Sequence, residues 1–153
     1  MRIFLVALCC AIGLAAPGGP GAAADDKADL EKEVKKFQGA WSFESSEVGG
    51  QQLPAGDLKE LVITFAGDKH TIKKGDQVVQ VGAQKLDPSK SPKAIDVNMT
   101  EGPNKGVFML GIYEINGDTL KVCFDPQGKK RPTEFKSAPG SANFVNVHKR
   151  VKK

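Results

Sequence analysis

The sequence predicts an all-β fold, an antiparallel up-and-down β-barrel of about eight strands with a short N-terminal helix. From Trp41 onward, short runs of alternating apolar and polar residues are separated by turn residues, a pattern typical of β-strands. Gly-Asp pairs recur at Gly67, Gly75 and Gly117, and glycine supplies the positive φ that two-residue hairpin turns require. Successive antiparallel strands with one apolar face favour closure, because closure removes exposed sheet edges. A two-sheet sandwich is the alternative.

The N-terminus has the layout of a secretory signal peptide. Arg2 is followed by an apolar run over 3–16 that is too short for a comfortable membrane span. A Gly/Pro stretch and the small residues of "AAADD" then offer a cleavage site between Ala24 and Asp25. We therefore predict a signal peptide over residues 1–24 and a secreted or periplasmic protein. An uncleaved N-terminal anchor is the alternative.

Cleavage would leave Cys123 as the one remaining cysteine, since Cys9 and Cys10 lie in the signal peptide. A secreted chain with one thiol forms no internal disulfide, so its stability must come from packing.

Residues 25–39 are predicted to form a helix. An aspartate can cap its start, Leu30, Val34 and Phe37 fall on one stripe, and Gly39 ends it. We expect this apolar stripe to cover one end of the sheet.

The barrel domain is predicted to span residues 40–150, with a basic tail over 151–153. The segment "LPAGDLKEL" (53–61) is expected to contain one helical turn. Strands are predicted at 41–48, 61–66, 69–74, 77–86, 94–100, 106–116, 119–124, 132–136 and 143–150.

The Gly117-Asp118 turn predicts which side chains share a face of the sheet. It places Tyr113 opposite Val122 on an apolar face and Ile112 opposite Cys123 on a mixed face.

The Gly67-Asp68 turn directs four side chains toward the interior: Ile63, Phe65, His70 and Ile72. The imidazole of His70 therefore points inward. Burial should lower its pKa from the free value of about 6.5.

Five motifs in series resemble a small uncharacterised domain family that is abundant in planctomycete bacteria and usually secreted. They are "FQGAW", "LVITFAGDKHTI", "KLDPSKSPKAIDVNMTEGPNKG", "GIYEINGDTLKVCF" and "RPTEF", and the resemblance covers about residues 37–150. It implies a lipocalin-like barrel in an extracytoplasmic setting, without an established activity. The family pattern has an aromatic residue where this chain has His70.

The chain shows little sign of catalytic or metal chemistry. Nucleophilic catalysis by Cys123 would need a base beside the thiol, and only Lys121 lies near it on the predicted face. We expect a structural or half-covered thiol. The two histidines, His70 and His148, are far apart and lack ligand spacing, which disfavours a metal site. His148 is expected to be solvated, and no cofactor is predicted.

Arg131 and Glu134 in "RPTEF" are expected to form a local ion pair that fixes a loop. A carboxylate-binding rim at this position is the alternative.

The charge distribution disfavours a nucleic-acid partner. The chain carries a net charge of +4, and four of its basic residues lie in the terminal "HKRVKK". We expect any weak contact with an anionic membrane surface to reside in this tail.

Two functional hypotheses follow from the predicted barrel, and an enzyme is disfavoured. The first is a monomeric, non-enzymatic binding module for a small apolar or amphipathic ligand. The second is an envelope-associated domain with a solid core that contacts another envelope protein. Eight strands leave an interior that is either filled by side chains or able to hold one ligand. For the first hypothesis the predicted lining is Trp41, Phe65, His70, Met109, Tyr113 and Phe124.

Overall fold

The computed structural model describes residues 21–152 and shows a closed barrel of eight antiparallel strands with a helix at one end. Its elements are α1 (Gly21–Phe37), β1 (Gly39–Val48), β2 (Gln51–Gln52), α2 (Ala55–Leu58), β3 (Leu61–Ala66), β4 (Lys69–Lys74), β5 (Gln77–Asp87), β6 (Ala94–Glu101), β7 (Phe108–Asn116), β8 (Thr119–Asp125) and β9 (Phe144–Arg150).

The barrel closes through the pairing of β1 with β9. This ladder runs from Trp41 opposite Arg150 to Val48 opposite Phe144. The other strands pair with their neighbours in chain order, and β2 is a two-residue extension beside β1. Because the hydrogen-bonded ladder is continuous around the barrel, the predicted barrel is confirmed and the two-sheet sandwich is wrong.

The predicted hairpin registers are also confirmed. Tyr113 lies opposite Val122, and Ile112 lies opposite Cys123. The turn glycines all have positive φ, +57° at Gly117 for example. These local turns therefore set which side chains enter the barrel.

The predicted strand at 132–136 is wrong. Residues 126–143 form an irregular segment between β8 and β9. At its start the Asp125 carboxylate accepts hydrogen bonds from three backbone N–H groups, those of Gln127, Lys129 and Lys130, at 2.8–2.9 Å. This carboxylate-centred turn leads the chain away from the β8–β9 ladder, so the segment lacks a strand partner.

Helix α1 closes one end of the barrel, as its apolar stripe predicted. The Phe37 ring packs edge-on against Phe65 and Tyr113, with centroids 5.1 and 5.0 Å away. The Trp41 indole Nε1 donates a hydrogen bond to the Phe37 carbonyl oxygen at 2.8 Å. The helix runs from residue 21 to 37 rather than from 25 to 39. Most of the predicted signal peptide, residues 1–20, lies outside the described residues, so its cleavage stays a prediction.

A buried carboxylate fastens α1 to the barrel. Glu33 forms ion pairs with Lys36 and Lys93 at 2.6 and 3.0 Å, and its other oxygen accepts a hydrogen bond from the Tyr113 hydroxyl at 3.2 Å. Burial by itself would raise the pKa of Glu33, but the bonds from the two ammonium groups outweigh burial and lower it. Burial of the Tyr113 hydroxyl and the nearby Glu33 carboxylate raise the pKa of Tyr113.

The C-terminal basic residues also hold this end together. The Arg150 guanidinium donates hydrogen bonds to the carbonyl oxygens of Lys36 and Gln38 at 2.7 and 2.9 Å, and it lies 4.1 Å from the centroid of the Trp41 ring. Lys152 pairs with Asp118 at 2.9 Å. Arg150 and Lys152 of the basic tail therefore already have partners within the protein. Contact of this tail with a membrane surface stays a prediction. Within residues 21–152, no helix is long and apolar enough to cross a membrane.

Candidate ligand-binding cavity

The half of the barrel away from α1 contains a cavity of about 390 Å³. Its walls are the inward-facing side chains of β1 and β3–β9, and two exposed residues of the β6–β7 loop, Pro103 and Asn104, belong to its mouth. The lining consists of Phe43, Leu61, Ile63, Phe65, His70, Ile72, Val79, Gln80, Ile95, Val97, Met99, Pro103, Asn104, Met109, Leu120, Val122, Phe124, Phe144, Asn146 and His148. Most of these side chains are apolar, and none carries an acidic group, a lysine ammonium or a guanidinium.

Four of the six predicted lining residues surround this cavity: Phe65, His70, Met109 and Phe124. Trp41 and Tyr113 do not line it, because both are packed at the end of the barrel that Phe37 fills. The sequence led us to expect all six in the lining, but it does not show how far along the barrel the helix reaches. Whether the four lining residues contact a ligand stays a prediction.

His70 is buried in the cavity wall, as its register predicted. Its Nδ1 lies 2.9 Å from Gln84 Oε1, while Gln84 Nε2 donates to the Gly67 carbonyl oxygen at 3.2 Å. This orientation of the Gln84 amide makes Nδ1 of His70 the donor. It leaves the lone pair on Nε2 of the same imidazole as an acceptor. Burial lowers the pKa of His70, so the expected direction is confirmed. Gly82 makes room for the ring, since a Cβ there would lie 2.5 Å from Cε1.

His148 was expected to be solvated, and this is wrong. Its side chain is only 2% exposed and packs edge-on against Phe43, with ring centroids 4.4 Å apart. In β9 the alternation places Phe144, Asn146 and His148 on the inner face, a signal that the basic residues at the end of the strand obscured. Burial lowers the pKa of His148 to about 3, so the imidazole is neutral at physiological pH.

Asn146 brings a buried polar atom into the wall: its Oδ1 lacks a hydrogen-bond partner among the described residues. His148, by contrast, forms a hydrogen bond with the backbone of Ser42, which opposes the effect of burial on its pKa. An unsatisfied buried polar group costs about 1–3 kcal/mol. Sequence reasoning missed Asn146, because a lone asparagine in a strand carries no motif.

Cys123 lies on the outer side of the barrel wall, away from this cavity. It is fully buried rather than half-covered, because Phe135 of the 126–143 segment packs over the small apolar cluster that it forms with Ile112 and Val145. Its Sγ lies 3.7 Å from the carbonyl oxygen of Lys136. Burial raises the pKa of the thiol, which disfavours the nucleophilic thiolate.

We expect the Cys123 thiol to react with a disulfide reagent such as 5,5′-dithiobis(2-nitrobenzoic acid) at least about a hundredfold more slowly in the native protein than in the unfolded chain, because reaction requires opening of the 126–143 segment. The rate of thionitrobenzoate release measures this difference, and the unfolded protein in guanidinium chloride is the control. Equal rates would show that this segment leaves the thiol open.

The predicted Arg131–Glu134 ion pair is wrong. Arg131 Nη2 instead lies 2.6 Å from Asp96 Oδ1. Its Nη1 donates hydrogen bonds to the carbonyl oxygens of Gly111 and Ile95 at 2.6 and 3.2 Å. The guanidinium fastens the 126–143 segment to the barrel and is already occupied by these partners, which disfavours a carboxylate-binding rim.

The part of the chain that the structure describes contains no cluster of three or more His, Cys, Asp or Glu residues that could hold a metal ion. Comparisons with protein-family models, with curated proteins and with solved structures give no match to this chain. The resemblance to a planctomycete domain family therefore stays a prediction, and the function is argued from the cavity.

Proposed function

We propose that the protein is a non-enzymatic, extracytoplasmic binding module that holds one small, uncharged, apolar or amphipathic molecule in the barrel. The cavity carries this proposal. Its volume of about 390 Å³ falls in the range of roughly 300–1,000 Å³ that ligand sites occupy. Apolar side chains dominate its lining, with a few polar groups among them, which is the usual composition of a small-molecule site.

The chemistry of the wall favours an uncharged ligand. Among residues 21–152 no charged side chain belongs to the lining, and both imidazoles have lowered pKa values and are neutral at pH 7. An ionised ligand group would lose its hydration there without gaining a counter-charge, which is costly. A hydrocarbon body buried against these walls gains about 25 cal/mol for each Å² removed from water.

The cavity also supports a binding module over an interaction domain with a solid core. The thiol and the imidazoles lie on opposite sides of the barrel wall, which argues against a Cys–His catalytic pair. The extracytoplasmic setting rests on the signal-peptide pattern of residues 1–24 and on the family resemblance.

A cavity-filling variant tests the proposal. The neutral fluorophore N-phenyl-1-naphthylamine should brighten on binding the purified protein. Ile72→Trp should weaken this binding at least about tenfold, because the indole occupies space that the probe needs. Thr71→Trp is the matched control, since Thr71 is the neighbouring residue of β4 and its side chain is not part of the lining.

Fluorescence titration measures both affinities. Wild-type protein that fails to bind the probe, or equal weakening by the two substitutions, would contradict binding inside the barrel. Circular dichroism of each variant verifies that the barrel is intact.

A further inference from the structure

We propose that the ligand of this cavity carries an uncharged hydrogen-bond donor, a hydroxyl or an N–H group, that bonds to Nε2 of His70 at the floor of the cavity. The apolar body of the ligand then extends toward the mouth. The inference rests on the proposed function, because it concerns the same cavity. It rests further on a series of hydrogen bonds that fixes the tautomer of His70 and leaves Nε2 as a free acceptor.

The tautomer of His70 is set by hydrogen bonds that begin at the end of α1. Gln38 Oε1 accepts the Gly67 N–H at 2.7 Å, and its Nε2 donates to the Gly67 carbonyl oxygen at 3.2 Å. The same carbonyl oxygen accepts a hydrogen bond from Gln84 Nε2, which turns Gln84 Oε1 toward His70 Nδ1. A flipped Gln84 amide would set two acceptors against each other, so Nδ1 is the nitrogen that carries the proton.

Nε2 of His70 has no hydrogen-bond partner among residues 21–152. The neighbours of His70 across the ladder are Phe65 on β3 and Gly82 on β5, and neither offers a side-chain donor. The Cε1–Nε2 edge of the ring lies over Gly82, where a Cβ would come within 2.5 and 2.7 Å of these two atoms. The protein therefore accommodates this edge of the imidazole without pairing it.

This nitrogen is open to the cavity. A few polar side-chain atoms of the described residues are sealed inside the protein without a partner, and His70 Nε2 is not one of them. It therefore keeps accessible surface. Because His70 is buried from bulk solvent and belongs to the lining, that surface faces the cavity, where a ligand can touch it.

The lone pair on Nε2 selects a donor. Hydroxyl and N–H groups donate to it, whereas an ether, a ketone or an ester only accepts and would oppose one lone pair with another. A carboxylate has the same defect and also buries a charge. An ammonium donates, but the lining contains no acidic side chain among residues 21–152 to balance it. The suitable group is thus an uncharged donor.

The depth of His70 sets the orientation of the ligand. Its ring centroid lies 5.9 Å from that of Phe65, which itself packs against Phe37 of α1. His70 is therefore at the floor of the cavity, beside the rings that fill the helix end of the barrel. The mouth residues Pro103 and Asn104 belong to the opposite, open end. A ligand enters with its donor first and leaves its apolar body toward the mouth.

Three probes of one shape test the proposal by isothermal titration calorimetry at pH 7. They are 2-naphthol, naphthalene and 2-methoxynaphthalene, which provide a donor and acceptor, neither, and an acceptor alone. We expect 2-naphthol to bind at least about threefold more tightly than either of the others, although naphthalene is the more hydrophobic, because only the hydroxyl donates to Nε2. Binding of naphthalene or 2-methoxynaphthalene at equal or higher affinity would overturn the proposal.

A pair of variants locates the effect. His70→Phe keeps an aromatic ring over Gly82 and removes the acceptor, so it should abolish the preference for 2-naphthol and leave naphthalene binding within about twofold of wild type. Asn104→Leu removes a polar side chain at the mouth instead and should keep the preference. Loss of the preference in both variants or in neither would overturn the assignment to His70.

Nuclear magnetic resonance of the imidazole nitrogens reports on His70 directly. The chain has two histidines, His70 and His148, so untagged protein labelled with ¹⁵N-histidine gives few ring signals, and the His70→Phe spectrum identifies those of His70. We expect a protonated Nδ1 and an unprotonated Nε2 in the free protein. Binding of 2-naphthol should move the Nε2 resonance toward the protonated value more than naphthalene does. The opposite tautomer, or an Nε2 resonance that 2-naphthol leaves in place, would overturn the proposal.

The outcomes separate this inference from the function on which it rests. If none of the three probes binds the wild-type protein, the proposed function fails as well. If all bind without regard to the hydroxyl, only the present inference fails. The wild-type comparison needs no substitution, so it decides the question even if His70→Phe does not fold.

Discussion

Truncation of Phe37 to alanine is expected to lower the free energy of unfolding by about 4 kcal/mol, within the range of roughly 3–5 kcal/mol for removal of a buried aromatic ring. Phe37 is 1% exposed and packs edge-on against Phe65 and Tyr113. Its loss would leave a void between helix α1 and the barrel that these well-fixed rings cannot fill. Urea denaturation followed by circular dichroism measures the change.

Phe108→Ala is the matched control for this prediction. Phe108 is 48% exposed, so the same truncation on β7 should cost about 1 kcal/mol or less. If the two variants lost equal stability, α1 would not be part of the core in solution. The fluorescence of Trp41 gives an independent reading, because its indole hydrogen-bonds to the Phe37 carbonyl and should redshift if the helix detaches.

Lowering the pH from 7 to 5 is expected to cost the protein about 2 kcal/mol of stability through His148 alone. Its pKa is about 3 in the folded protein and about 6.5 in the unfolded chain. Between these values the unfolded chain binds a proton that the native state excludes, so stability falls as the pH falls. The contribution of His148 is fully present above pH 6.5 and is lost progressively toward pH 3.

His148→Phe isolates this effect, because phenylalanine cannot be protonated and keeps a ring beside Phe43. The difference in unfolding free energy between pH 7 and pH 5 should be smaller by about 2 kcal/mol in the variant. His70 remains in both proteins, and its lowered pKa acts in the same direction, so its contribution cancels in the comparison. An unchanged pH dependence would show that His148 is accessible to solvent and protonated in the native state.

Where the structure agrees with the sequence, the determining interactions are local. The Gly67-Asp68 and Gly117-Asp118 turns specify the hairpin registers, and each register assigns a whole strand face to the interior. The inward position of His70 and the apolar stripe of α1 followed from such short-range patterns. They are predictable because period 2 in a strand and period 3.6 in a helix are properties of the backbone itself.

Where the expectations failed, the deciding partner is distant in the chain. Arg131, in the irregular 126–143 segment, pairs with Asp96 on β6 rather than with nearby Glu134. The basic end of β9 suggested solvent around His148, although its neighbours across the ladder are Phe43 and Leu120. Cys123 is covered by a segment that was expected to include a strand.

Turn residues and alternation in the sequence specify a series of antiparallel strands after a helix, the positions of most strands, and the inward faces; they favour a barrel, but the pairing of β1 with β9 is what closes it. The strand positions and faces depend on turns and alternation within a few residues. Long-range packing determines that α1 fills one end of the barrel, that a cavity of about 390 Å³ remains in the other, and that Asn146 and His148 line it. A cavity is the difference between the volume enclosed by eight strands and the volume of the side chains inside. No local pattern specifies that difference, because it depends on how every strand and the helix pack together.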